Sequence, residues 1–211
     1  VSHEFKTPIN AIEGYASLLQ DHQQTQQEQD EYIEKILFNT RRLSSLTGNI
    51  LLLSKINTQS IKPQRTSFRL DEQVRQAILA LEQKWTEKNI DLDVELDKIQ
   101  YSGYENLLIH VWTNLIDNAI KFDPPDGMIC LRMRQSDDSV VFTIEDNGPG
   151  IAPEDRERIF HKFYQSDSSR KMDGNGLGLS LVKQIVELSG GTVSVDNLPD
   201  AGCRFTVQLP L

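Results

Sequence analysis

Only two cysteines occur in the 211 residues, Cys130 and Cys203, and they form no CxxC pattern. Both stand in strand-like runs, MICLRM and CRFTVQL. They therefore read as buried free thiols in a reducing compartment, not as a zinc or redox pair. No apolar run approaches the roughly 18–20 residues that span a bilayer, so no membrane contact is expected of this stretch. Positive charge is scarce: 22 Lys and Arg face 31 Asp and Glu, a net charge of −9. An acidic surface repels a phosphate backbone, which excludes general nucleic-acid binding. A small phosphate-bearing ligand is not excluded, because local amides and single cations can hold it. No G-x-x-x-x-G-K-[ST] stretch occurs, which removes a P-loop, and no internal repeat is present.

What is present divides into two textures. Residues 2–20 read as a helix, with Phe5, Ile9, Ile12, Ala16 and Leu19 at three- and four-residue spacings. The polar stretch DHQQTQQEQDE reads as a solvated loop running into the first turn of a second helix. From about Glu28 to Ile56, Ile36, Leu43 and Ile50 fall seven apart, as do Ile33, Thr40, Thr47 and Ser54. An apolar seam flanked by small polar residues is a helix-bundle face. Two helices alone bury too little, so the pattern predicts a hairpin that pairs with a second copy into a four-helix bundle. At about 1.5 Å per residue the second helix spans roughly 43 Å and the first about 30 Å. Matched antiparallel partners then imply that the first helix begins before Val1, in a longer protein.

Residues 57–66, NTQSIKPQRT, read as a linker containing Pro63. Beyond it, helices are expected over LDEQVRQAILALEQKW, YENLLIHVWTNLIDNAIKF and LGLSLVKQIVELSGG. IDLDVEL alternates as a strand, and GMICLRMRQ with SVVFTIED, then GTVSVDN with CRFTVQLPL, read as hairpins. The expected fold class is α+β: an antiparallel helical hairpin over 1–56, then an α/β sandwich over 67–211 with a mixed sheet and helices on one face.

Several stretches carry chemistry. Asn114, Asn118 and Lys121 lie at i, i+4 and i+7 on one narrow helix face. Two amides and an ammonium in line suit a polyphosphate with its magnesium, although a solvated helix face looks the same. In DNGPGI, Asp146 ends a strand and can accept a hydrogen bond from an adenine amino group. Guanine presents a carbonyl there and would be repelled. The plainer alternative is a tight turn. GNGLGLSL opens a helix, where free amides and the dipole favour phosphate. The polar stretch before it is no strand, which argues against a dinucleotide-binding fold. The segment between Tyr164 and Gly174 has the make-up of a flap over a ligand. At the start, HEFKTP sets His3 and Glu4 one turn before Thr7, with Pro8 next. Alone, these are ordinary surface residues of a first helical turn.

The joint order is more specific: HEFKTP, Asn-xxx-Asn-xx-Lys, DxGxG, FHKFY and GxGxG. This set closely resembles the bacterial sensor histidine kinases of two-component signalling, over nearly the whole chain. The resemblance implies a dimerisation and phosphoacceptor hairpin over 1–56. It implies a catalytic ATP-binding domain over 67–211, of the fold shared with gyrase, MutL and the heat-shock chaperone ATPases. It makes His3 the phosphoacceptor, Glu4 the general base, and Thr7 the residue that positions water for dephosphorylating a response regulator. It assigns Asn114 to Mg2+, Asn118 and Lys121 to the ATP phosphates, and Asp146 to adenine. Phe122, Gly148, Gly150, Ile151, Phe163, Gly174, Gly176, Leu177 and Gly178 complete the nucleotide site, with Arg170 and Lys171 in the lid. A homodimer through 1–56, a response-regulator receiver domain as partner and a cytoplasmic location, as part of a membrane-anchored sensor, are further implications. One departure is Gln165, which stands where the family often carries an arginine. The other is the short first helix, which leaves His3 in a terminal turn. Two rival readings are a nucleotide-binding signalling scaffold without transfer and a gyrase- or chaperone-type ATPase. The second of these has no need of the HE-x-x-TP hairpin.

Overall fold

A computed structural model describes residues 2–20, 24–58, 64–166, 174–199 and 201–211. The chain divides into two compact units, Val1–Ser54 and Lys55–Leu211. The first is a helical hairpin of α1 (Ser2–Leu19) and α2 (Gln26–Asn57). Helix α2 begins on a reciprocal cap. The Thr25 hydroxyl accepts from Glu28 N–H at 3.3 Å, while the Glu28 carboxylate accepts from Thr25 N–H at 2.8 Å. Along α2 a row of buried and half-buried positions, Tyr32, Ile36, Asn39, Leu43, Leu46, Ile50 and Leu53, alternates four and three apart. Tyr15 of α1 stacks on Tyr32, with centroids 5.8 Å apart. A second row, Ile33, Leu37 and Leu51, stays exposed with Ile9 and Leu18 of α1. Helix α1 runs through Pro8 without interruption.

The second unit is built on a five-stranded mixed sheet in the order β2-β4-β5-β7-β6. Its strands are β2 (Asp91–Leu96), β4 (Met128–Gln135), β5 (Ser139–Glu145), β6 (Thr192–Asn197) and β7 (Cys203–Pro210). Strand β2 runs parallel to β4, and the other pairings are antiparallel. Alternation sends Ile129, Leu131, Met133, Val140, Phe142, Ile144, Phe205, Val207 and Leu209 into the core. The opposite face carries Arg132 and Arg134, paired across strands with Asp93 and Glu95. Against the apolar face lie α3 (Leu70–Ala80), α5 (Glu105–Phe122) and α6 (Gly178–Leu188), so the mixed sheet with helices on one face is as the sequence implies.

Trp112 is the largest fully buried side chain of this core. It meets Phe142 edge-on with centroids 4.9 Å apart and donates its indole N–H to Gln73 Oε1 at 2.9 Å. Trp112→Ala is expected to cost about 3–5 kcal/mol, read as a lower denaturant midpoint with little change in slope.

Several local expectations change. The helix expected over residues 70–85 breaks at Leu81 into α3 and α4 (Glu82–Glu87). The break turns Leu81 into the core and lets the Trp85 indole donate to Ile78 O at 3.2 Å. Two short strands, β1 (Thr66–Arg69) and β3 (Gln100–Gly103), form a separate antiparallel pair too short and polar to show as alternation. Cys203 is buried as expected, but Cys130 is half-exposed because its register places it on the charged face.

Candidate nucleotide site

Helix α5 forms because its apolar residues recur at helical spacing. Burying Leu108, Val111, Trp112, Leu115, Ile116 and Ala119 leaves the Asn114, Asn118 and Lys121 edge half-buried. The Asn114 amide nitrogen donates to His110 O at 2.7 Å. Its oxygen therefore faces away from its own helix backbone and toward α6. A Cβ added to Gly178, the first residue of α6, would fall 2.6 Å from that oxygen. Lys121 Nζ stacks over the Phe122 ring at 4.9 Å and lies 2.8 Å from where a Gly174 Cβ would be. The stripe on α5 thus borders the loop and helix start that hold GNGLGL. The free N–H groups and dipole of α6 favour an anion there.

Beside the C-terminal end of α5, β5 delivers Asp146. Its Oδ1 accepts Gly148 N–H at 2.9 Å, and its Oδ2 accepts the Cys203 thiol at 3.1 Å. Burial pushes the Asp146 acid above the usual carboxylate range, against the opposing pull of those two donors. Burial and the nearby Asp146 carboxylate also push the Cys203 thiol up, so it stays a neutral donor. Gly148 is required where it is: a Cβ would meet Asp146 Oδ1 at 2.8 Å and Phe122 O at 2.9 Å. Gly150 has φ +72°. Just beyond, Ile151 N–H donates to Asn197 Oδ1 and Asn197 Nδ2 donates to Ile151 O, both at 2.8 Å. Asn197, at the end of β6, is absent from the sequence-based site because no motif marks it.

The FHKFY segment joins the last glycine loop. Phe163, at φ +64°, donates its N–H to Gly176 O at 2.8 Å. Gly176, at φ +65°, leaves no room for a side chain, since a Cβ would sit 2.7 Å from the Phe163 carbonyl carbon. Phe160 packs edge-on against Phe205, and Tyr164 donates its hydroxyl to Asp155. Gln165, the departure from the family pattern, donates its amide to Gly174 O at 2.8 Å. It therefore closes the base of this loop. Leu177 is fully buried and takes the Asn175 side-chain oxygen on its N–H at 3.1 Å. Arg170 and Lys171 lie outside the described residues.

The structure thus gathers Asn114, Asn118, Lys121, Phe122, Asp146, Gly148, Gly150, Ile151, Phe163, Gly174, Gly176, Leu177 and Gly178 along one edge of α5 and the loops beside it. His3, Glu4 and Thr7 belong to the other unit. There His3 is exposed on the first turn of α1, and the Thr7 hydroxyl donates to His3 O at 3.1 Å.

Residues 103–211 match the family of histidine kinase-, DNA gyrase B- and HSP90-like ATPases, and residues 1–59 match the His Kinase A (phospho-acceptor) domain. The chain is 36% identical to the heme sensor protein HssS of Staphylococcus saprophyticus, over 98% of this chain and 44% of that protein. It is 32% identical to the sensor-like histidine kinase SenX3 of Mycobacterium bovis, over 100% of this chain and 52% of that protein. It spans about half the length of these curated relatives. Among solved structures, the mycobacterial sensor histidine kinase MprB superposes with a TM-score of 0.64 at 31% identity, over 69% of this chain and 97% of that one. The histidine kinase ThkA, solved in complex with the response regulator protein TrrA, gives 0.78 at 26% identity, over 100% of this chain and 59% of that one. With an ATPase-domain match over more than half its residues and a phosphoacceptor-domain match over the remaining hairpin, the chain belongs to the two-component sensor histidine kinases.

Proposed function

We propose that this chain is the transmitter core of its parent kinase: it binds ATP, phosphorylates His3 and passes the phosphoryl group to an aspartate of a response regulator. The observation that carries the reading is the alignment of α5, with Asp146 beside its C-terminal end and the Asn114 oxygen aimed at the start of α6. Adenine and polyphosphate each find a complementary group along one line. Asp146 accepts from the adenine amino group. Lys121 and Asn118 meet phosphate oxygens, and the α6 amides add partial positive charge.

Among the described residues no cluster of three His, Cys, Asp or Glu side chains could hold a metal unaided. Asn114 fits Mg2+ as one oxygen ligand of an ion shared with the nucleotide, the usual manner of binding for this cation. Bound there, Mg2+ would neutralise charge on the transferring group. A neutral ring nitrogen of His3 forms the N–P bond to the γ-phosphorus while the bond to the β-γ bridging oxygen breaks, and ADP leaves. Glu4 receives the proton from the other ring nitrogen, so the product imidazole need not stay cationic. The exposed row Ile33, Leu37 and Leu51 with Ile9 and Leu18 supplies the apolar seam for a second copy. A receiver domain would dock on the hairpin near His3; ThkA, for its part, was solved in complex with the response regulator protein TrrA. Such a core works in the cytoplasm, where ATP and regulator are available.

The test is incubation of the chain with γ-labelled ATP and Mg2+. Acid-labile label on the chain is expected. ATP binding without any transfer would favour the signalling-scaffold reading. Thr7→Ala is expected to keep autophosphorylation within about threefold and to lose regulator dephosphorylation by at least tenfold. In the free chain the Thr7 hydroxyl is engaged by His3 O, and it must turn outward to hold a water. Joint loss of both activities would make Thr7 structural instead.

A further inference from the structure

The two ends of the nucleotide site stand on different elements: the phosphate-facing residues on α5, and Asp146 on the loop after β5. We infer that Asp123, backed by Lys88, is a positioning residue for adenine recognition that locks the end of α5 to the loop carrying Asp146. This deepens the nucleotide reading and rests on it.

Asp123 is the residue on which α5 ends, with φ −63° and ψ 141°, and it is 2% exposed. Its Oδ1 accepts the N–H of Asn147, the residue directly after Asp146, at 2.6 Å. Gly148 comes so close to the same helix end that a Cβ there would meet Phe122 O. From the other side, Lys88 Nζ donates to the carbonyls of Ile120, Lys121 and Asp123 at 2.8, 2.9 and 2.9 Å. These are carbonyls that a helix C-terminus leaves without intrahelical partners, and a cation there is favoured by the helix dipole. Lys88 is itself tied down. Its carbonyl accepts Asp126 N–H at 3.0 Å, and neighbouring Asn89 donates to Asp126 Oδ1 at 2.6 Å.

Stability alone does not account for a carboxylate at this place. Asp123 Oδ2 is buried without a hydrogen-bond partner among the described residues, an arrangement that is unfavourable by itself. Burial and the neighbouring Asp146 push the Asp123 acid up, while the Asn147 bond and Lys88 oppose them. Room is also kept for it: a Cβ on Gly127 would fall 2.1 Å from Oδ2. What the group does achieve is geometric. Asp146 has a fixed donor on each oxygen, Gly148 N–H and the Cys203 thiol. Its acceptor directions therefore move with the Asn147–Gly148 backbone, which Asp123 holds at a set distance from Lys121 and Phe122.

The experiment is ATP and GTP affinity of the full chain for wild type, Asp123→Ala and Asp123→Asn, with thermal stability measured alongside. Asp123→Ala is expected to bind ATP about tenfold more weakly and to lose a similar factor in ATP-over-GTP preference. Asp123→Asn keeps an oxygen for Asn147 N–H and is expected within about threefold of wild type. A folded Asp123→Ala chain with ATP affinity within twofold of wild type overturns the inference, as does an Asp123→Asn chain as weak as the alanine variant. Should the alanine variant not fold, hydrogen exchange at Asn147 in the nucleotide-free wild type decides. Protection is expected, and exchange at the rate of an open loop overturns the clasp. Failure of wild type to bind ATP would instead defeat the nucleotide reading, and Asn147 protection would still report on the clasp.

Discussion

A His3→Gln chain is expected to take no acid-labile label from ATP, a loss of more than about 10³-fold against wild type, because the nucleophile itself is gone. Glutamine offers an amide of comparable reach whose nitrogen lone pair is delocalised and cannot attack phosphorus. The residues proposed to bind ATP lie in the other compact unit, so nucleotide affinity is expected within about twofold of wild type. That split between retained binding and lost transfer identifies the acceptor rather than a damaged fold. The chain has three other histidines, His22, His110 and His161. Burial pushes the His110 imidazole down toward its neutral, nucleophilic form, so His110 is the control most worth making. Acid-labile label remaining on His3→Gln would move the acceptor to one of these three and sink the assignment.

Asp146→Asn is expected to weaken ATP binding by about 10–100-fold, the value of one buried hydrogen bond to a charged group. The substitution is nearly isosteric, so Gly148 N–H can keep an oxygen acceptor. The other arm becomes an NH2 donor facing two donors, the Cys203 thiol and the adenine amino group. GTP binding should strengthen, because its carbonyl no longer meets a carboxylate and can accept from the new NH2, so the ratio of ATP to GTP affinity should fall toward one. Equal affinity of wild type for the two nucleotides would show that Asp146 does not read adenine. A pH dependence follows with a definite sign. Binding needs the ionised carboxylate, and burial raises this acid above the usual range. ATP affinity should therefore decline on acidification sooner than for an exposed aspartate, and the decline should be absent from Asp146→Asn.

The hairpin was legible wherever a pattern is local. The heptad spacing of Ile36, Leu43 and Ile50 appears in the structure as part of the buried row of α2, and Ile33, Thr40, Thr47 and Ser54 stay exposed. The cap at Thr25 and Glu28 was equally present, as Thr-x-x-Glu, but glutamines around it made the stretch read as loop. The break at Leu81 was not legible, because LDEQVRQAILALEQKW keeps helical composition throughout and only core packing bends it. Strands β1 and β3 were missed for the opposite reason: four residues each, with polar outer faces, give alternation too little length to register.

In the ATPase-domain unit, the order Asn-xxx-Asn-xx-Lys, DxGxG, FHKFY, GxGxG was enough to mark the family and the segments that the structure sets beside α5. The same letters could not say that the Asn114 oxygen points at Gly178, that Gln165 closes the loop at Gly174, or that Asn197 pins Ile151. By itself the sequence determined which chemical groups are available and the helix or strand period on which each is carried, since both depend on neighbours a few residues away. Only the tertiary structure decided where those groups meet and what holds them there. The sheet order β2-β4-β5-β7-β6 brings Asp146 beside Cys203, and the turn after α5 brings Asp123 to Asn147. Those approaches are set by packing between distant segments, which no local spacing encodes.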